Sequence, residues 1–508
     1  MVRLLCAILC SLLSGLAAAA GELPVLVYHD IVGEARADDY AITRAMFAQQ
    51  MAFLHEQGFQ PVSLHTLAEV AAGRRPLSDK AVMLTFDDGL RSFQQVALPE
   101  LQKYGFPAVL SICTGWIDGR DIPANYRGRL MTWADLRALS RSPLIEMLSH
   151  TDQLHTGIPS NPEGNLAPAG TTRRYDAASH GYESDEAFRL RIHADLARST
   201  QRLKAEIGQQ PIGVTWPYGY SDGIAEDEAR RLGMPWQLTI TGEPARTAEF
   251  PHLGRIVLYR AHSLGDFERL LLTRARPPQR ILAVTLDDLI GRSQAERERW
   301  LSALLVRIEL LRIDAVVVSP FDRGGQHAFF AGGPVASYDD YLNRVLYQIR
   351  TRGGIRAIYL QLPAAVTGAD VYTELARRQP YDGIVLSDGL APQEAVQARA
   401  LFARYRPGLR CGTEGPATDL ACNDFRILKL APGDAGATLP AAVHSPVPTY
   451  VMIGQGGDPS GKRLAKTLNR LRRAGVSYIG LQDDAMFDEP AIVTRTAVQL
   501  AEFSRRRN

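Results

Sequence analysis

The sequence predicts an α/β protein of two consecutive domains, each built from parallel strands joined by crossover helices. Three observations predict it. Short β-rich apolar runs alternate with helical patterns along the chain from residue 23 onward. The acidic and imidazole side chains that carry chemistry fall directly behind those runs, where ligand sites of parallel sheets gather. An Arg-Pro-Pro break at 276–278 interrupts the rhythm between a helical segment and a fresh strand, and marks the domain boundary.

The chain has 508 residues, 46% hydrophobic and 22% charged, which excludes disorder, collagen and coiled coil and leaves ample length for two cores. Its 57 Lys and Arg against 55 Asp and Glu give a net charge of +2, so no global field gathers nucleic acid, and none is expected as a partner. Residues 1–20 read as a secretory signal peptide: Arg3 precedes an apolar run from Leu4 to Leu16, and the small residues Ala17 to Ala20 suit cleavage before Gly21. A periplasmic or otherwise exported protein follows. Leu5 and Leu9 ahead of Cys6 and Cys10 speak against a lipid anchor. In an oxidising compartment Cys411 and Cys422, which bracket a short Gly- and Pro-containing loop, are expected to pair, while Cys113 in VLSIC reads as a core thiol.

The first domain, 21–276, reads as strands at 23–31, 81–89, 106–113, 144–150, 214–219 and 255–261. Phe47, Met51 and Leu54 recur at helical spacing before Gly58, and a second helix spans residues 185–207 ahead of Gly208. The Gly-, Pro- and Asn-rich stretch 151–184 reads as a surface insertion beside the chemistry. In the second domain, 280–508, strands at 281–289, 315–321, 356–362, 383–388, 426–430, 449–454 and 478–484 alternate with helices such as 294–311, which predicts a second α/β barrel or part of one.

Asp87 and Asp88 in TFDDG follow an apolar strand, and two adjacent carboxylates there repel each other unless a cation relieves the cost. One then ligates while the other stays a base; taken singly, the segment reads equally as an exposed turn. Ser149 to His155 follows another apolar strand and supplies two imidazoles five positions apart, about 140° on a helix, so a strand end running into a loop is expected. Asp88, His150 and His155 make a three-ligand divalent site with open positions, accepting Zn, Ni, Co or Fe(II). Trp216 and Tyr218 in TWPYG offer a sugar-stacking wall and a backbone N–H for a developing oxyanion, although, taken singly, Trp and Tyr in a Pro-Gly turn are more often packing residues.

VLVYHDI, LTFDDG, SHTDQLH and TWPYG, in that order, resemble the polysaccharide deacetylases of carbohydrate esterase family 4, and among them the poly-β-1,6-N-acetylglucosamine N-deacetylases. The resemblance implies a distorted (β/α) barrel for the first domain. It makes Asp87 the general base, Asp88, His150 and His155 the metal ligands, and the Tyr218 backbone an oxyanion donor. The family motif carries an Arg ahead of the Pro-Tyr turn, whereas Thr215 and Trp216 stand here, so orienting the base falls to another group. The general acid is assigned to His262 in LYRAHSLGDF, with His29 in VYHD as its rival.

The second domain resembles the glycoside-hydrolase-like barrel of the same deacetylases, shortened here, which binds or cleaves partly deacetylated polymer. Asp388 occupies the position of the first of two family aspartates, and Gly389 the second, which favours binding over cleavage because glycosidases need two carboxylates. Asp287, Asp288, Asp483 and Asp484 are further candidates for lining a groove. The resemblance implies a metal-dependent N-deacetylase acting on a β-1,6-linked N-acetylglucosamine polymer during biofilm export, with the polysaccharide export machinery as a partner. The alternatives are a glycoside hydrolase working through the second domain and a non-catalytic polysaccharide-binding scaffold.

Overall fold

The computed structural model describes residues 21–34, 37–272, 279–415, 422–429, 447–453, 462–482 and 490–505. The predicted signal peptide and Asp483 and Asp484 lie outside them. No described helix is long and apolar enough to cross a membrane.

The chain divides into two compact units. The first comprises Met1–Ile158, Ala167–Thr172 and Glu183–Arg276; the second comprises Pro159–Leu166, Arg173–Tyr182 and Pro277–Asn508. The 151–184 stretch is therefore not one insertion beside the first site, and two of its segments belong to the second unit. Asn161 donates to the Asn343 amide oxygen at 3.0 Å there, and Tyr182 donates to Asp340.

The first unit is a closed ring of seven parallel strands: β1 (Val25–Tyr28), β2 (Ala81–Phe86), β3 (Ala108–Ile112), β4 (Ile145–Ser149), β5 (Gly213–Thr215), β6 (Trp236–Ile240) and β7 (His252–Val257), with β7 pairing back onto β1. Both faces of each strand are covered, which is why the strands read as unbroken apolar runs. Along β2, Val82, Leu84 and Phe86 pack in the core with Phe47, Met51 and Leu54 of helix α1 (Arg44–Glu56), while Ala81 and Met83 face the second apolar cluster with Leu238 and Leu253. The distortion is localised. β4 and β5 pair only through Val214↔Ser149, whereas β3 and β4 run in register over five residue pairs.

β6 is a strand the sequence reading passes over. Its polar Gln237 interrupts an apolar pattern, yet the side chain is buried because its amide oxygen accepts from the Trp216 indole at 2.8 Å and its amide nitrogen donates to the Met234 carbonyl at 2.7 Å. Helix α2 (Asp185–Ile207) starts where Ser184 accepts from the Ala187 N–H and ends at Gly208, φ 73°, so its caps set the bounds that the sequence shows.

The second unit carries a closed barrel of eight parallel strands: β8 (Arg280–Val284), β9 (Ala315–Val318), β10 (Ala357–Leu362), β11 (Gly383–Leu386), β12 (Arg410–Glu414), β13 (Phe425–Lys429), β14 (Thr449–Ile453) and β15 (Tyr478–Gln482). The protein is thus α/β, with two complete barrels. β12, sequence RCGTE, is too polar to read as a strand, and it supplies Cys411, which is joined to Cys422. Cys113 is buried and unpaired.

Candidate active site

Two loops at the C-terminal ends of first-unit strands converge. β2 runs into Asp87 and Asp88, β4 into His150, and the loop behind β4 turns back to deliver His155. His150 Nε2 stands 3.4 Å and His155 Nε2 3.6 Å from the same Asp88 oxygen, Oδ1. These three side chains are the one group among the described residues whose ligand atoms cluster for a metal, all within 4.8 Å of one another.

The donor set fits a divalent ion. Asp88 Oδ1 is buried without a hydrogen-bond partner, and an orphaned carboxylate oxygen facing two imidazole nitrogens is costly unless a cation sits between them. His150 Nδ1 lies 2.6 Å from the Thr215 carbonyl, which fixes the proton on Nδ1 and leaves Nε2 as the lone pair. Burial lowers the His155 pKa to about 4, and repulsion from His150 adds to this, with Asp88 opposing, so the ring is neutral and able to ligate. Burial alone would raise the Asp88 carboxyl; the neighbouring His150, His155 and His29 rings outweigh it and hold Asp88 well below the usual carboxylate range. Left-handed backbone shapes both loops and the turn behind β5: Asp88 (φ 74°), Thr151 (φ 69°) and Tyr218 (φ 59°) each carry a side chain in that disfavoured region, as strained functional loops do.

Asp87 is held by a residue the sequence reading did not name. Arg255 of β7 is fully buried and donates to both carboxylate oxygens of Asp87, Nη1 to Oδ1 at 2.9 Å and Nη2 to Oδ2 at 3.0 Å. Its Nη1 also reaches Thr85 Oγ1 at 3.2 Å, and its Nε reaches the Thr239 carbonyl at 3.3 Å. This fork fixes the carboxylate plane. Burial pushes Asp87 up, but the Arg255 charge, His150 and the Arg255 hydrogen bonds together bring it below the ordinary value, so Asp87 is ionised and able to accept a proton. The signal was in the sequence: an Arg inside the apolar strand at 255–261 is buried only when it meets a carboxylate.

The His150–His155 loop is held from behind. Asp195 on the buried face of α2 accepts the backbone N–H groups of Asp152 at 2.9 Å and Gln153 at 2.8 Å, and Ser199, one turn on, bonds Ser149 at 2.7 Å. Asp152 itself is gripped by Arg120, Arg198 and Thr114.

Two expectations are corrected. Trp216 is fully buried, its indole bonded to Gln237, so it packs the barrel and offers no face to a sugar. Tyr218 is instead 46% exposed, its ring 4.6 Å from His155, with Trp116 at 4.7 Å from the same imidazole. The turn behind it requires Gly219, because a Cβ there would stand 2.3 Å from Ile240 Cβ. His262 is not in the Asp88, His150 and His155 cluster: it sits beyond β7 against Tyr259, whose N–H it accepts at 3.2 Å. Of the two rivals it is His29, not His262, that acts electrostatically on Asp87, Asp88 and His155, and its Nδ1 is buried with no hydrogen-bond partner.

Residues 74–236 match the polysaccharide deacetylase family. The match spans β2 to β5 of the first barrel. The chain is 31% identical over 350 residues to the poly-β-1,6-N-acetyl-D-glucosamine N-deacetylase of Escherichia coli K12, over 66% of this chain and 52% of that protein. It therefore spans about half the length of the curated relatives it matches. Among solved structures, the BpsB deacetylase domain of Bordetella bronchiseptica aligns with 31% identity and a TM-score of 0.42, over 46% of this chain and 95% of that one. A glycoside hydrolase domain from the same organism aligns with 16% identity and a TM-score of 0.38, over 44% of this chain and 99% of that one.

In the second barrel Asp287 and Asp388 follow β8 and β11. Asp287 Oδ1 accepts the Arg323 N–H at 3.1 Å, while its Oδ2 is buried without a hydrogen-bond partner. Beside Asp388 the structure adds Glu414, which ends β12 and accepts from Gln361 at 2.9 Å, with Lys429 at 2.8 Å. Gly415 lies so near the Asp388 carboxyl that an added Cβ would meet its Cγ at 3.1 Å.

Proposed function

We propose that this chain is an exported, metal-dependent N-deacetylase that removes acetyl groups from poly-β-1,6-N-acetylglucosamine. The observation that carries the reading is the pairing of the Asp88, His150 and His155 triad with an Asp87 carboxylate clamped by Arg255. A divalent ion, Zn, Ni, Co or Fe(II), held by the triad supplies Lewis acidity toward the acetamide carbonyl and toward water. Asp87 takes the proton of the attacking water, and Arg255 keeps its lone pair aimed while remaining charged. The Tyr218 backbone N–H supports the oxyanion, and the Tyr218 ring walls the sugar. His29, with an unpartnered Nδ1, donates the proton that lets the amine leave. This assignment replaces His262. Export is supported by the Cys411–Cys422 bridge together with the residue 1–20 pattern, and the polysaccharide export machinery is the partner this implies.

A second reading attaches to the second barrel. Two carboxylates on neighbouring strand ends, Asp388 and Glu414, supply the pair a glycosidase needs and which Gly389 had seemed to remove. Acetate release from β-1,6- and β-1,4-linked oligomers, with and without chelator, tests the deacetylase. A parallel reducing-end measurement tests the glycosidase. Chelator-resistant acetate release, or none from the β-1,6 series, overturns the first reading.

A further inference from the structure

The structure leaves a row of aromatic rings on the far side of His29 that the chemistry above does not use. Tyr40 packs against His29 with ring centroids 4.9 Å apart, Tyr259 against Tyr40 at 5.6 Å, and His262 against Tyr259 at 5.4 Å. Tyr40 is 44% and Tyr259 39% exposed, so two large rings face solvent next to the reaction centre. An exposed phenol is common; two in contact, continuous with a catalytic histidine, make a surface.

The surface is built to hold its shape. Tyr40 follows a turn in which its N–H donates to Asp38 Oδ1 at 3.1 Å, and Tyr259 follows β7 behind Leu258, whose N–H donates to the Val27 carbonyl at 3.0 Å. The two loops are tied to each other by Arg260, whose backbone N–H reaches the Asp39 carbonyl at 2.7 Å and whose guanidinium reaches the Asp39 carboxylate at 3.3 Å. His262 fixes the Tyr259 backbone through its Nδ1. Burial and the neighbouring Asp39 and Asp38 push the Tyr40 phenol above its ordinary value, so it stays a neutral donor.

We propose that Tyr40 and Tyr259, with His262 at their outer edge, form a sugar-binding subsite. It receives the pyranose ring next to the reacting residue of an N-acetylglucosamine polymer, while the reacting acetamide lies between His29 and His155. The inference rests on the deacetylase reading and deepens it. The apolar ring face meets the C–H face of a pyranose, and the phenol tip meets its hydroxyls, which is the use amphipathic aromatics serve at wet interfaces. Because the subsite holds a part of the substrate that does not react, its binding energy is available for positioning the acetamide, so longer oligomers are turned over better than short ones. His262 is then a positioning residue for the Tyr259 ring rather than the proton donor.

The test uses the full chain loaded with Co or Zn and β-1,6-linked N-acetylglucosamine oligomers from dimer to hexamer. The readout is the ratio of kcat/KM for hexamer to that for dimer. Tyr40→Ala and Tyr259→Ala are expected to shrink the ratio by about tenfold, and Tyr40→Phe and Tyr259→Phe are expected to retain most of it. A ratio unchanged in both alanine variants, or Phe variants as impaired as Ala, overturns the subsite. Calorimetric binding of the hexamer separates this from failure of the deacetylase reading. If the wild type releases no acetate from any oligomer, that reading falls. Weaker hexamer binding in Tyr259→Ala, by about tenfold, then still supports the subsite, and equal or absent binding overturns it.

Discussion

Asp87 and Arg255 are each buried, and each is tolerable there only because of the other. Arg255→Met leaves an uncompensated carboxylate in the barrel and is expected to cost about 3–5 kcal/mol of stability. The double variant Asp87→Leu with Arg255→Met recovers much of that loss while releasing no acetate; urea unfolding and the acetate assay, run on both, separate the two roles. At the Asp88, His150 and His155 cluster the proposed division of labour predicts a different pattern. Asp88→Ala, His150→Ala and His155→Ala each lose stoichiometric metal, whereas Asp87→Asn keeps metal and loses turnover. Elemental analysis showing full metal in His155→Ala would contradict the ligand set. Three of these residues were legible because a carboxylate and two imidazoles behind apolar strands have few other reasons to be there. Arg255 was not, since a single charge inside an apolar strand announces a partner without saying which. Trp216 misled because the turn that displays Tyr218 buries the residue two positions before it.

Helix α2 shows what local chemistry makes legible: Ser184 and Gly208 bound it in sequence and in space. Its function was not legible, since Asp195 and Ser199 look like polar breaks in an apolar face until the His150–His155 loop is seen resting on them. β6 and β12 were missed for a related reason: Gln237 is buried only because the distant Trp216 indole partners it, and in RCGTE the polar Arg410 and Glu414 flank a short buried centre of Cys411, Gly412 and Thr413. The segment Pro159–Leu166 carries a pH-dependent consequence. Burial, with Asp340 and Asp339 adding to it, pushes Glu163 up to about 7, and its Oε2 has no hydrogen-bond partner. The folded protein therefore keeps a proton on Glu163 that the unfolded chain has already released above its ordinary value near 4.5, and this group's contribution to stability falls as pH rises from there to about 7. Glu163→Gln should raise Tm more at pH 8 than at pH 5. An equal shift at both would count against the assignment.

Across the whole molecule, the alternation of strands and helices made two α/β barrels readable. What no linear reading supplies is that the second unit is assembled from discontinuous pieces. Residues 280–508 alone lack Asn161 for Asn343, Tyr182 for Asp340 and Arg173 for the face of Tyr405. That fragment is expected to be less stable than the same barrel within the full chain, and an excess of a peptide spanning residues 159–182 should raise its Tm in a concentration-dependent way. A Tm indifferent to the peptide would show that the barrel stands without these segments.

The same discontinuity imposes an order of events on a chain that emerges N-terminus first. Residues 159–182 leave the ribosome long before β15 closes the second ring, and at ordinary translation speeds they wait on the order of tens of seconds for their binding surface. Segments that must wait unfolded have to stay inert toward their surroundings. Their composition suits that interval: PSNPEGNL and RRYDAASHGY contain one Leu, two Tyr and no other large apolar residue, so little in them invites premature association.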